Sequence, residues 1–181
     1  MNDPTGMYGR GSGWSDKDWE KFDKAQKQAA SDMSSAASSM REDAAGLKDG
    51  ATSADGYSAS ELNSMADKLD AGAAALNDDG SDGYTAHAVT NFDNPLKYGE
   101  ATGSKTITIA TEHPDFTNSD TSRLRWNAGH ESLHNAGMSH PKWRGFVPYR
   151  YGIFGQRKSF EDLPQDRRSS NPDHLLKRVY P

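Results

Sequence analysis

Three of the six histidines in this 181-residue chain fall within eleven residues, the run H-E-S-L-H-N-A-G-M-S-H at positions 130–140. No other stretch constrains the fold as tightly. His130 and His134 are four apart, so a helix projects both from one face. Gly137 suits the left-handed conformation that ends a helix. The chain then turns back, and His140 can meet the other two. Three converging imidazoles are the donor set of a metal site that keeps one position open for water. Glu131, one step from His130, flanks that position and is placed to take a proton from the water. Trp126, Gly129, Leu133 and Ala136 form an apolar stripe along the same helix, which would bury the site. At this composition a bare H-E-x-x-H arises by chance in under about one per cent of chains, and the pattern extended through Gly137 and His140 at a rate on the order of 10⁻⁵. A helix displaying two surface histidines would explain the pair, but not the glycine and the third histidine.

The flanking sequence supplies the frame. Residues 1–13 hold Pro4, four glycines and few apolar groups, and read as a linker. Ser15 is a natural N-cap, Trp14 and Trp19 occupy the positions of a hydrophobic staple, and an Ala-rich stripe predicts a long helix over roughly 15–47. Ser58 with Glu61 forms a capping box for a second helix to about residue 77. Residues 14–80 therefore read as a helical hairpin, a brace or lid for the 81–181 core. Tyr84–Thr90 is a weak strand, and K-T-I-T-I-A-T at 105–111 is the strongest, with Ile107 and Ile109 on one face. Ser119 or Asp120 caps the histidine-bearing helix, while His113 reads as a loop residue and His87 and His174 as structural. Asn171-Pro172 opens a short last helix. Asp173 in its first turn either stabilises that helix or orients a ligand histidine from outside. Arg123 and Arg125 read as a solvated or salt-bridged face.

Composition limits the alternatives. The absence of cysteine excludes disulfide scaffolds, thiolate metal sites and thiol nucleophiles. No window reaches the roughly 18 apolar residues of a membrane span, and no basic-then-apolar leader is visible. Residues 141–181 carry nine Lys and Arg against four Asp and Glu, a balance of +5, beside −10 over the rest and −5 overall. No aromatic-interleaved motif accompanies those charges, so they read as facing the acidic remainder of the chain rather than nucleic acid.

The run at 130–140 resembles the long zinc-binding consensus of the metzincin metallopeptidases at every fixed position. The resemblance implies a zincin-like α+β fold: a small twisted sheet, an active-site helix, and an edge strand that binds substrate main chain, for which 105–111 is the candidate. No methionine follows Met138 to form that family's Met-turn. Downstream, Pro148-Tyr149-Arg150-Tyr151-Gly152 and Asn171-Pro172-Asp173 resemble elements of the deuterolysin-like (aspzincin) peptidases. Asn2-Asp3-Pro4-Thr5-Gly6-Met7 resembles the element that closes the core of Rhs-repeat proteins, ahead of a variable C-terminal toxin.

These resemblances imply a zinc metallopeptidase toxin or effector domain, secreted or delivered into a target cell. Its partners would be a protein or peptide substrate, a cognate immunity protein and the parent Rhs core, with no membrane. One Zn²⁺ would sit on His130, His134 and His140, Glu131 would act as general base, and Tyr149 or Tyr151 would stabilise the oxyanion. Two other readings stand beside this one. A metal-dependent nuclease toxin would use His130, Asn135 and His140, but no strand pair is evident directly before residue 130. A non-catalytic zinc-stabilised interaction module would add a fourth protein ligand such as Asp173 or His113.

Overall fold

The computed structural model of the protein describes residues 8–78, 80–140 and 164–181. Helix α1 (Asp16–Gly46) starts where Ser15 accepts the Asp18 amide N–H. Trp14 meets Trp19 edge to face at 5.5 Å between ring centres and stacks on Phe22 at 4.9 Å, closing the staple. Helix α2 (Ala59–Leu76) opens on the reciprocal Ser58–Glu61 capping box. The two helices bury facing stripes, Phe22, Ala29, Met33 and Met40 from α1 and Leu62, Met65, Leu69 and Leu76 from α2. Alanine and glycine let them approach closely: a Cβ at Gly72 would meet the Met33 side chain at 2.6 Å.

The sheet is mixed, in the order β1-β2-β4-β3. Strands β1 (Gly9–Arg10), β2 (Thr85–Val89) and β4 (Thr106–Ala110) run parallel, and β3 (Gly99–Thr102) is antiparallel to β4. Ile107 and Ile109 are fully buried on one face of β4, as their alternation predicts. Two expectations fail here. Strand β4 is not an edge: it is bonded on both sides, and the edge beside the histidines is β3. The strands β3 and β4 also form an antiparallel pair ahead of the histidine helix, although residues 111–121 separate them from it. The sequence of β3, Gly-Glu-Ala-Thr, has no β-branched apolar alternation to announce it.

A third correction concerns residues 8–13. They are not a free linker. Tyr8 is fully buried, Gly9 and Gly11 donate to the carbonyls of Tyr84 and Ala86, and the Trp14 indole N–H donates to the Ala86 carbonyl. Two aromatic rings supply the apolar burial that the glycines lack. One apolar cluster then runs continuously from Tyr8 through both long helices and the sheet to Leu175 and Leu176. Among the described residues, no helix is long and apolar enough to cross a membrane.

Candidate metal centre

The histidines ride on helix α4 (Ser122–Asn135). Its entry is held by Asp120, which accepts the Ser122 amide and hydroxyl at 2.9 and 2.8 Å, while Thr121 in the cap position makes no side-chain bond. Leu124, Ala128, Gly129 and Leu133 are buried, Trp126 and Ala136 half-buried, and both α1 and α2 pack on this face. Arg125 pairs with Asp32 of α1 at 3.1 Å, and Arg123 is exposed. The helix ends in a Schellman arrangement. Gly137 lies at φ +88° and donates to the His134 carbonyl, and Met138 donates to the Leu133 carbonyl. That reversal brings His140 back over the helix end.

The three imidazoles converge. His134 Nε2 lies 3.1 Å from His130 Nε2 and 3.2 Å from His140 Nε2. Their outer nitrogens are engaged elsewhere. His134 Nδ1 lies 2.9 Å from the Met138 carbonyl, which can only accept, so Nδ1 carries the proton. His130 Nδ1–H donates to Asp173 Oδ1 at 2.9 Å. His140 Nδ1 faces Asp173 Oδ2 at 3.8 Å. When both rings are neutral with their protons outside, the Nε2 lone pairs of His130 and His134 face each other, an arrangement that a cation between them relieves.

Protonation states agree with this. Burial and the neighbouring His130 push His140 down to about 4, and the same two causes lower His134. Both rings are therefore neutral near pH 7, the form a metal requires. Burial alone would raise the Asp173 carboxyl, but the hydrogen bond and charge of His130 outweigh it and hold it below the ordinary range. Asp173 comes from helix α6 (Pro172–Val179), capped by Asn171 with Pro172 in its first turn. Of the two readings of Asp173, the orienting one matches its contacts. Among the described residues, His130, His134 and His140 form the one group of three or more His, Asp or Glu able to share a metal ion. Asp173 stands behind the rings, not among the donors.

Glu131 is only 8 % exposed and lies against β3, where a Cβ on Gly99 would come within 3.2 Å of its Oε1. Cavities of about 220 and 350 Å³ flank the histidines, and both are lined by Lys97, Gly99, His130, Glu131 and His140. Together they make a groove along β3. The smaller one also reaches Asp115, His113 and Trp126. His113 is no loose loop residue: it caps the one-turn helix α3 (Pro114–Thr117), its Nδ1 accepting the Asp115 amide. Tyr149 and Tyr151 lie outside the described residues.

Sequence reasoning missed two buried phenols near the carboxylate. Tyr8 accepts a 2.7 Å hydrogen bond from Asn135 Nδ2 on α4. Tyr98 is buried between β4 and the groove, and burial raises its hydroxyl well above the ordinary phenol range, with Asp115 and Glu131 adding to the shift. Neither carries a local spacing signal, because each comes to α4 from a distant part of the chain. Compared with known proteins, the chain matches no family model, no curated protein and no solved structure.

Proposed function

We propose that the protein is a zinc-dependent metallopeptidase, acting as the toxin or effector domain of an Rhs-type protein. The observation that carries this reading is the approach of the His130 and His140 Nε2 atoms to that of His134, at 3.1 and 3.2 Å, while the outer nitrogens of His130 and His134 are tied to acceptors. Zn–N bonds of about 2.0 Å in a tetrahedron set N···N edges of about 3.3 Å, so the donors fit zinc. His130, His134 and His140 would hold it. Three protein donors leave one position free, which suits catalysis better than a structural site. When bound, zinc supplies Lewis acidity toward a carbonyl and toward water.

The remaining chemistry belongs to the chain. Glu131 accepts the proton of the attacking water and returns it to the leaving amine, a role worth about 10²–10⁴ in rate. Its burial beside Gly99 limits the positions of its carboxylate. Among the described residues no strand pairs with the outer edge of β3, which would offer its main-chain groups to an extended peptide lying in the groove. Tyr149 or Tyr151 would stabilise the developing oxyanion. The implied partners are a protein or peptide substrate, a cognate immunity protein that protects the producer, and the Rhs core.

The test is Glu131→Gln, assayed on a quenched-fluorescence peptide library with zinc content measured in parallel. The expected outcome is one zinc per chain in both proteins and a loss of hydrolysis of about 10²–10⁴ in the variant. A folded variant that cleaves at the wild-type rate sinks the reading. Plasmid DNA degradation abolished by the same change would favour the nuclease.

A further inference from the structure

Helix α6 is attached to α4 in two ways. The first is apolar: Leu175 and Leu176 are fully buried, and Leu176 approaches so closely that a Cβ on Gly129 would sit 3.0 Å from its Cδ2. The second is polar: Asp173 receives His130 Nδ1–H at 2.9 Å and faces His140 at 3.8 Å. Asn171, fully buried at the head of α6, accepts the Asp173 amide and so fixes where that carboxylate starts. Two of the three rings of the cluster are therefore gripped from behind by one helix start.

The two attachments differ in what sustains them. Leucine burial needs nothing beyond the fold. The polar grip needs the rings held together, and when the rings are neutral with their protons outside, the facing Nε2 lone pairs of His130 and His134 oppose that. A cation between them removes the repulsion and makes the outer N–H of each ligating imidazole a stronger donor toward a carboxylate. The carboxylate in turn places a negative charge behind a buried dication, where attraction is little screened.

We infer that Asp173 is a positioning residue for the metal and that it couples metal occupancy to the docking of helix α6. The inference rests on the reading of the cluster as a zinc site, not on peptide hydrolysis. Coupling between two binding events is reciprocal. The docked helix raises metal affinity, and the metal suppresses opening of the helix by the same factor. Loss of an outer partner of this kind lowers metal affinity about 10–100-fold.

The experiment uses the full chain and zinc alone. Zinc affinity is measured by competition with a chromogenic chelator for the wild type and for Asp173→Asn. Hydrogen exchange of the α6 amides is followed with and without zinc. The expected result is a 10–100-fold weaker affinity in Asp173→Asn. Without zinc the variant should fold and melt somewhat below the wild type, because the His130–Asp173 bond is present without metal. Zinc should slow α6 exchange in the wild type by a similar factor, and far less in the variant. Equal zinc affinity in the two proteins, or wild-type α6 exchange that ignores zinc, overturns the inference. The exchange arm needs only the wild type, so a variant that fails to fold does not remove the test. A wild type that binds no zinc overturns both this inference and the proposed function. Coupling as expected without any peptide hydrolysis overturns the peptidase alone.

Discussion

At Gly137 the backbone conformation, rather than any contact, completes the histidine cluster. A Cβ there would touch nothing within 4 Å, yet φ is +88°. Replacing Gly137 with Ala therefore costs only the left-handed strain, about 1–2 kcal/mol, and any relaxation of that strain swings His140 away. Gly137→Ala should lower the melting temperature by a few degrees and weaken zinc binding, read by calorimetry and chelator competition. Unchanged zinc affinity would mean that the turn does not aim His140. Gly13 contrasts with it: φ is +89° and a Cβ would also strike the Ala88 carbonyl oxygen at 2.0 Å. The clustering of His130, His134 and His140 was legible in the sequence because its geometry is local, one helix face and one cap. Asp173 stayed ambiguous, since an Asp in a first helical turn has a sufficient local reason to be there. Only its contact with His130 shows a second reason.

Legibility at the level of elements followed the amount of apolar periodicity. The long helices α1 and α2 and strand β4 carry repeating apolar positions, and they formed within a few residues of where the spacing put them. Strand β3 carries none and became the edge beside Glu131 through pairing with β4. Strand β1 looked like linker because its two residues are Gly and Arg, and its anchor, Tyr8, is a single residue. That anchor can be tested. Tyr8→Phe keeps the ring but removes the acceptor of the Asn135 amide, whose Oδ1 already has no partner. Leaving that buried amide unpaired should cost about 1–3 kcal/mol in denaturant unfolding. Tyr8→Ala, which also empties the ring site, should cost about 3–5 kcal/mol. If Tyr8→Ala is neutral, β1 is dispensable and residues 8–13 behave as linker after all.

Across the whole molecule, buried neutral histidines set how stability responds to acid. His140 and His174 are both pushed down to about 4, and His134 is lowered as well, with burial the leading cause in each. For His174, Arg178 and Arg168 add to burial. Its Nε2 lies 2.9 Å from the hydroxyl of Tyr57, far along the chain from the histidine cluster. In the unfolded chain these rings titrate near 6.5. Between that value and about 4 the unfolded state binds protons that the folded state refuses, so stability falls as pH drops through this window. Above 6.5 the contribution is fully present, and below about 4 it is gone. The lowered Asp173 carboxyl acts in the same direction, but only from about pH 4 downward, below most of the histidine window. The melting temperature of the chelated protein should therefore hold near neutrality, decline from pH 6.5 to 4, and decline less steeply in His174→Asn. Zinc should move the onset of the decline to lower pH, because a metal on His130, His134 and His140 competes with the protons. His174→Asn should leave that zinc-dependent part intact. A chelated wild type whose melting temperature is flat from pH 7 to 4.5 would show that these histidines are not buried neutral in solution.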